Sequence, residues 1–236
     1  MSGYLTRSQT VSIRGALPLS LTLLKDNQQF YDPLGQAQAL GVCSASWPLF
    51  GLLWPSSIRL AQKIAQRKLC KTERILELGC GLGLASLVAH RQGRNITASD
   101  RHPLAQKFLL KNTQANQLPP IPYKYAQWGQ PCYAHIATEQ GLRPLQSQFD
   151  LIMASDVLYE RSMAQELAHY VHQHAKPVAE VWVIDPNRGY AGAFTRALEQ
   201  YGFSMRENRL LSQDRLPNGY GQVEVYNGRF LSYQRV

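Results

Sequence analysis

The segment Arg74-Ile-Leu-Glu-Leu-Gly-Cys-Gly-Leu-Gly83 organises the rest of the chain. Ile75, Leu76 and Leu78 form a short apolar run suited to a buried strand. Gly79, Gly81 and Gly83 follow at alternating positions, and a helical pattern opens at Leu82. The segment therefore predicts a strand, a tight turn and a helix. Glycine is needed where the backbone takes a positive φ or approaches a ligand closely, and a helix N-terminus presents unpaired N–H groups. A nucleotide-like ligand suits such a place.

The glycine spacing narrows the ligand. A dinucleotide fingerprint wants its third glycine three residues after the second, where this chain has Leu84, and Gly83 comes one residue early. NAD is disfavoured. Glu77 places a carboxylate near the strand end, facing the ammonium of an amino-acid-bearing cofactor such as S-adenosylmethionine (SAM). Asp100 closes the next strand, Asn95 to Ser99, at the distance where an acidic residue accepts hydrogen bonds from ribose hydroxyls. The competing reading is a glycine cluster that merely turns the chain.

The 236 residues are 44% hydrophobic, enough for one domain with a full core and a small accessory segment. We expect the accessory segment at residues 1–45 and the main domain at 46–236. Cys43, Cys70, Cys80 and Cys132 show neither zinc-site pairing nor a secretory framework, and read as reduced thiols of a cytoplasmic protein. The apolar run Ala16 to Leu24 is too short to span a bilayer, so no membrane association is expected. His169, His172 and His174 lack a carboxylate or cysteine at ligand spacing and read as polar-face histidines, so no metal is expected.

Twenty-five Lys and Arg against sixteen Asp and Glu leave a formal net charge of +9, which favours an acidic partner or nucleic acid. Arg59, Lys63, Arg67 and Lys71 recur every four residues, opposite a face bearing Ile58, Ala61, Ile64 and Leu69. That stripe reads as a solvated helix face or as a docking stripe for an acidic acceptor.

Val11 and Ile13, Gly15, and the alternating Leu17, Leu19, Leu21 and Leu23 predict an N-terminal accessory hairpin. Residues 27–41 read as a loop with one helical turn. Helices are expected at 103–117, 162–176 and 192–201, and strands at 122–126, 149–154 and 179–184. Residues 131–148 read as a polar connection. Residues 204–212 and 222–233, with no helix between them, are expected to end the sheet as an antiparallel pair. Trp128 follows the third strand on the side where doubly wound folds place ligands, though a core tryptophan is the competing reading.

Glu77-Leu-Gly-Cys-Gly-Leu-Gly83, the Trp128 segment and Ser155-Asp-Val-Leu-Tyr159 together resemble the class I SAM-dependent methyltransferases. Within these they resemble the seven-strand lysine methyltransferase-like group marked by Asp-x-x-Tyr after the fourth strand. The resemblance covers about residues 45–205 and implies an α/β, Rossmann-like, doubly wound sheet of seven mostly parallel strands with an antiparallel last pair. It implies SAM as cofactor, with Trp54, Glu77, Gly79, Gly81, Gly83, Asp100, Trp128 and Ser155 around it. Trp54-Pro55 matches the group's Trp-Pro pair better than Trp47-Pro48. The resemblance further implies that Asp156 and Tyr159 position the amine of a protein lysine. Asp156 as an N-cap of the next helix is the bland alternative. An RNA or small-molecule acceptor is a second reading, weakened because Asp156-Val-Leu-Tyr159 lacks the paired prolines of base-amino methyltransferases. A SAM-binding module without catalysis is a third, against which the complete glycine motif and Asp156 both argue.

Overall fold

A computed structural model describes residues 3–129, 133–159, 162–217, 220 and 222–236. The alternating leucines fold as expected: β1 (Thr6–Ile13) and β2 (Ala16–Leu24) pair antiparallel around Gly15, whose φ is 88°. Leu19, Leu21 and Leu23 are buried, while Leu17 stays exposed. One helical turn, α1 (Gln36–Ala39), and a 3-10 turn (Trp47–Gly51) lead to α2 (Pro55–Ala65), with Pro55 in its first turn, where a missing N–H costs no intrahelical bond. Then β3 (Arg74–Leu78), α3 (Leu84–Arg91), β4 (Asn95–Asp100), α4 (Ala105–Ala115) and β5 (Tyr123–Tyr125) alternate. They are followed by α5 (Ala134–Glu139), β6 (Phe149–Ser155), α6 (Met163–His174), β7 (Ala175–Asp185) and α7 (Ala191–Glu199). The chain ends in β8 (Ser204–Leu210), β9 (Arg215–Pro217), β10 (Val223–Val225) and β11 (Arg229–Arg235).

Seven strands form one sheet in the order β5-β4-β3-β6-β7-β11-β8. β11 runs antiparallel to both β7 and β8, and the other pairings are parallel. The period of two divides the sheet's side chains between two cores. Ile75, Leu151, Met153, Trp182, Ile184 and Phe230 pack with α2, α3, α4 and the hairpin. Leu76, Ile152, Ala154, Val181, Val183 and Leu231 pack with α6 and α7 on the other face. β2 joins the first core by its leucines and by its free edge. The Asn112 Oδ1 accepts the Thr22 N–H at 2.7 Å, Asn116 exchanges bonds with both backbone groups of Ser20, and Arg91 donates to Leu17 O and Pro18 O. Side chains of α3 and α4 thus cover backbone groups that would otherwise template aggregation.

Three local expectations are corrected. The basic stripe is not a continuous exposed face, because three of its four cations are engaged within the fold. Arg59 is 5% exposed and donates to Asp214 at 2.7 Å, and Lys63 lies 4.0 Å from the centre of the Phe230 ring. Arg67, just past α2, sits over Trp182 and pairs with Glu73 and Glu180, so α2 and the residues after it lay these cations against the sheet's aromatic end. Only Lys71 is exposed, and Arg67 and Lys71 lie beyond the helix. Residues 131–148 contain α5, whose few apolar residues, Ile136 and Ala137, pack with Leu40, Tyr125 and Leu142 without a full helical stripe to announce them. Cys132 and Pro131 lie outside the described residues. Residues 222–233 split into two strands: β10 leaves the main sheet to pair with β9 as a separate two-stranded ribbon, and β11 alone carries the antiparallel pairing. Among the described residues no helix is long and apolar enough to cross a membrane.

Candidate active site

The ligand-sized cavity, about 480 Å³, opens at the carboxyl ends of β3, β4 and β6. There the strand order reverses, the place where open α/β sheets bind ligands. Gly79, Gly81 and Gly83 all take positive φ, 63°, 51° and 75°. Gly81 also approaches the 3-10 turn so closely that a Cβ there would lie 2.9 Å from Phe50 O. Asp100 braces the turn from the neighbouring strand. Its Oδ2 accepts the Gly81 N–H and its Oδ1 the His102 N–H, at 2.8 and 2.9 Å. Burial pushes the Asp100 carboxyl above the usual carboxylate range.

Of the residues singled out in the sequence, the cavity wall gathers Trp54, Gly79, Gly81, Asp100, Trp128, Ser155, Asp156 and Tyr159. Trp54 is fixed by its Nε1–H donating to Leu49 O at 2.9 Å, whereas Trp47 is a core residue, 1% exposed. Glu77 and Gly83 are absent from that wall. Glu77 shares its sheet face with Ile75, which carries it under α3. Its Oε2 accepts the Ser86 N–H at 2.8 Å and the Ser86 hydroxyl as well. Burial pushes its carboxyl up to about 7, with the Ser86 bonds opposing. Gly83 caps α3, and a Cβ there would strike Leu109 Cδ1 at 2.3 Å.

Asp156 follows β6 with φ 55°, a left-handed conformation for a non-glycine residue. Its N–H is held by Ile184 O at 2.9 Å. The N-cap alternative falls, because α6 begins at Met163 after Ser162 and the Asp156 carboxylate is engaged elsewhere. Arg188 donates to it from Nε at 2.9 Å and from Nη2 at 3.1 Å. That bond raises the Arg188 guanidinium's pKa further above its ordinary value.

Among the further wall residues that sequence reading passed over are His102, Arg188, Tyr220 and Glu224. Arg188 was legible in principle, since Asp185-Pro-Asn-Arg188 leaves the carboxyl end of the strand beside β6. Tyr220 and Glu224 carried no local signal; the β9–β10 ribbon brings them over the cavity. His102 stacks on Phe50 with ring centres 3.7 Å apart. Its Nδ1 accepts the Leu104 N–H, which puts the proton on Nε2, and that atom is buried with no partner among the described residues. Burial, helped by Arg101, pushes His102 down to about 3, so the ring is neutral. Among the described residues no group of three or more metal-ligating side chains gathers.

A family model described as lysine methyltransferase matches residues 49–191. The rat electron transfer flavoprotein beta subunit lysine methyltransferase is 26% identical over 171 residues, which are 71% of this chain and 60% of that protein. The chain thus spans less than two thirds of that relative's length. The human histone-arginine methyltransferase METTL23 is 27% identical over 135 residues, 55% of this chain and 67% of that one. Among solved structures, a methyltransferase from Pyrococcus furiosus superposes with a TM-score of 0.56 at 16% identity, covering 85% of this chain and 97% of that one. At that identity the likeness concerns the fold alone.

Proposed function

Because the chain belongs to the lysine methyltransferase family, we propose that it methylates a protein lysine with SAM as donor and with Asp156 and Tyr159 positioning the acceptor amine. The observation that carries this reading is that the glycine turn and Asp100, on one side, share a single cavity with Asp156 and Tyr159, on the other. The cavity's residues fit the cofactor. Its volume lies within the ~300–1,000 Å³ of ligand pockets. Gly79 leaves open the space where a Cβ would sit 3.0 Å from Val157 Cγ1 and 3.7 Å from the Trp128 ring.

In this reading Asp100 accepts from ribose hydroxyls with the lone pairs not used on Gly81 and His102, and Trp128 covers the adenine face. Trp54 and Ser155 complete the cofactor wall. Glu77 acts at one remove, locking the first turns of α3 through Ser86 so that the glycine turn keeps its shape. Bound there, SAM supplies an electrophilic methyl group that passes to the lone pair of the acceptor nitrogen, while the electron pair of the broken S–C bond stays on sulfur. The acceptor lysine, with a reference pKa of ~10.4, has to shed its proton to solvent first. The Asp156 carboxylate accepts an N–H of the neutral amine and Tyr159 limits its approach, so that the nitrogen is held in line.

The acceptor is read as a protein, without the acidic character once suggested by the basic stripe, since Arg59, Lys63 and Arg67 are spent inside the fold. An arginine acceptor is a second reading, favoured by the Arg188 guanidinium already seated on Asp156. The free thiols of Cys43, Cys70 and Cys80 accord with a cytoplasmic location. Residues 1–45 serve as an accessory segment on the 46–236 domain. The test is to incubate the protein with methyl-labelled SAM and a cell extract, divide the product between protease and nuclease, and map the modified residue by mass spectrometry. Label released by protease and found on lysine supports the reading. Label released only by nuclease, or no SAM binding by calorimetry, sinks it.

A further inference from the structure

We propose that Arg188 is a built-in occupant of the acceptor position: its guanidinium fills the Asp156 carboxylate, and only an acceptor that brings its own cation displaces it. Arg188 is then a specificity-determining residue. The inference rests on the reading of Asp156 as the group that positions the acceptor.

Both Asp156 oxygens are taken by the two-pronged contact, and both residues line the same cavity. A guanidinium fork on a carboxylate is among the strongest polar contacts in proteins. The carboxylate is the fixed partner. The Asp156 side chain is 14% exposed, and its backbone is clamped to Ile184 O beside the β6–β7 pairing of Ser155 with Ile184. The Arg188 side chain is 44% exposed, on the turn between β7 and α7, and is the partner free to move.

The same turn begins with a second acid. Asp185, three residues before Arg188, is 1% exposed, and its Oδ1 has no hydrogen-bond partner among the described residues. Its Oδ2 holds the Asn187 N–H at 2.9 Å. The charges of Asp156 and of Arg188 both act on Asp185, which places the three groups within one another's field. A guanidinium leaving Asp156 stays within the field of the Asp185 carboxyl.

The exchange discriminates by charge. A neutral hydroxyl or carbon acceptor offers Asp156 one ordinary hydrogen bond in return for a charge-assisted fork, and is excluded. An ammonium restores the ion pair as it displaces Arg188, then gives one proton to solvent and stays on Asp156 through an N–H of the neutral amine, the form that takes the methyl group. Displacement therefore filters for cationic side chains before any step at the methyl group.

The test uses the whole protein, methyl-labelled SAM and poly-L-lysine as the acceptor probe. Arg188→Ala should lower the KM for poly-L-lysine about tenfold, the scale of one charge-assisted contact, with the Kd for SAM within about twofold of wild type. Arg188→Lys, which keeps the charge but loses the fork, should fall between. Millimolar guanidinium ion should inhibit the Ala variant competitively against poly-L-lysine, refilling the place of the lost side chain, and should hardly inhibit wild type. A KM that is unchanged or raised in both variants, with SAM affinity intact, overturns the inference alone and makes Arg188 an ordinary acceptor contact or a structural prop. A wild type and an Ala variant that both bind SAM yet label neither poly-L-lysine nor any protein of a cell extract overturn the lysine reading itself, and the inference with it.

Discussion

Replacing Asn112 by Ala should loosen the N-terminal hairpin and the glycine turn together, because one fully buried side chain holds both. Asn112 Oδ1 accepts the Thr22 N–H of β2 at 2.7 Å, and its Nδ2 donates to Leu82 O in the glycine turn at 3.1 Å. Alanine removes both partners and leaves a backbone donor and a backbone acceptor unpaired in sites of little water access. Each such loss costs roughly 1–3 kcal/mol, so the pair sums to about 2–6 kcal/mol, with about 3 kcal/mol as the working value. For a domain of this size each kcal/mol moves the midpoint by roughly 2–4 °C, which gives a fall of about 6–12 °C. Thermal unfolding followed by circular dichroism and by calorimetry reads it directly. Asn116→Ala is the control. Asn116 makes the same kind of bonds to Ser20, but near the surface, where water replaces them, and it should cost under about 1 kcal/mol. An Asn112→Ala midpoint within 2 °C of wild type, or one matching the Asn116 control, would refute the idea that Asn112 fastens the hairpin to the turn.

Asp156→Asn should lower methyl transfer by roughly tenfold to a hundredfold, with SAM affinity nearly intact, measured by initial rates and calorimetry on the same preparation. Full activity on the wild-type acceptor rejects the positioning role. Glu77 gives a pH signature: its carboxyl is raised to about 7 from the ordinary 4.5, chiefly by burial. A group raised in the folded state adds stability that is complete below the unfolded value and is lost as pH rises through the folded one. Its contribution therefore fades between pH 4.5 and about 7, by about 3 kcal/mol at ~1.4 kcal/mol per pH unit. Glu77→Gln should flatten that part of the urea-midpoint curve, and parallel curves for the two proteins would contradict it. Arg59→Ala should destabilise measurably, by emptying a buried site and removing the donor to Asp214 and Ser212 O, while Lys71→Glu should be nearly neutral. Equal chemical-denaturation midpoints for the two would restore the reading of the stripe as a solvated face.

Much of the fold is legible in the chain because it is written in local terms. The period-two leucines of β2, the apolar runs of β3 and β6, and the three glycines each fix a conformation or a buried face within a few residues. The alternation of strands and helices then leaves few topologies. The same locality set Asp100 and Trp128 at strand ends where the doubly wound plan puts ligands, and the family resemblance added Asp156, which lines the same cavity. What remained hidden depended on which element packs where. The chain shows that Glu77 shares a face with Ile75, yet only the placement of α3 over that face turns the carboxylate to Ser86 and away from the cavity wall. Four cations at helical spacing look like a wet surface until the fold sets Trp182, Phe230 and acidic partners against Arg59, Lys63 and Arg67. Arg188 meets Asp156 across 32 residues, and Tyr220 and Glu224 arrive on a ribbon that pairs only with itself. Hydrophobic period and turn chemistry act over a single turn or strand and are carried by the sequence alone. Ion pairs and cavity walls act through space, so their partners are chosen only when the sheet brings distant strand ends side by side.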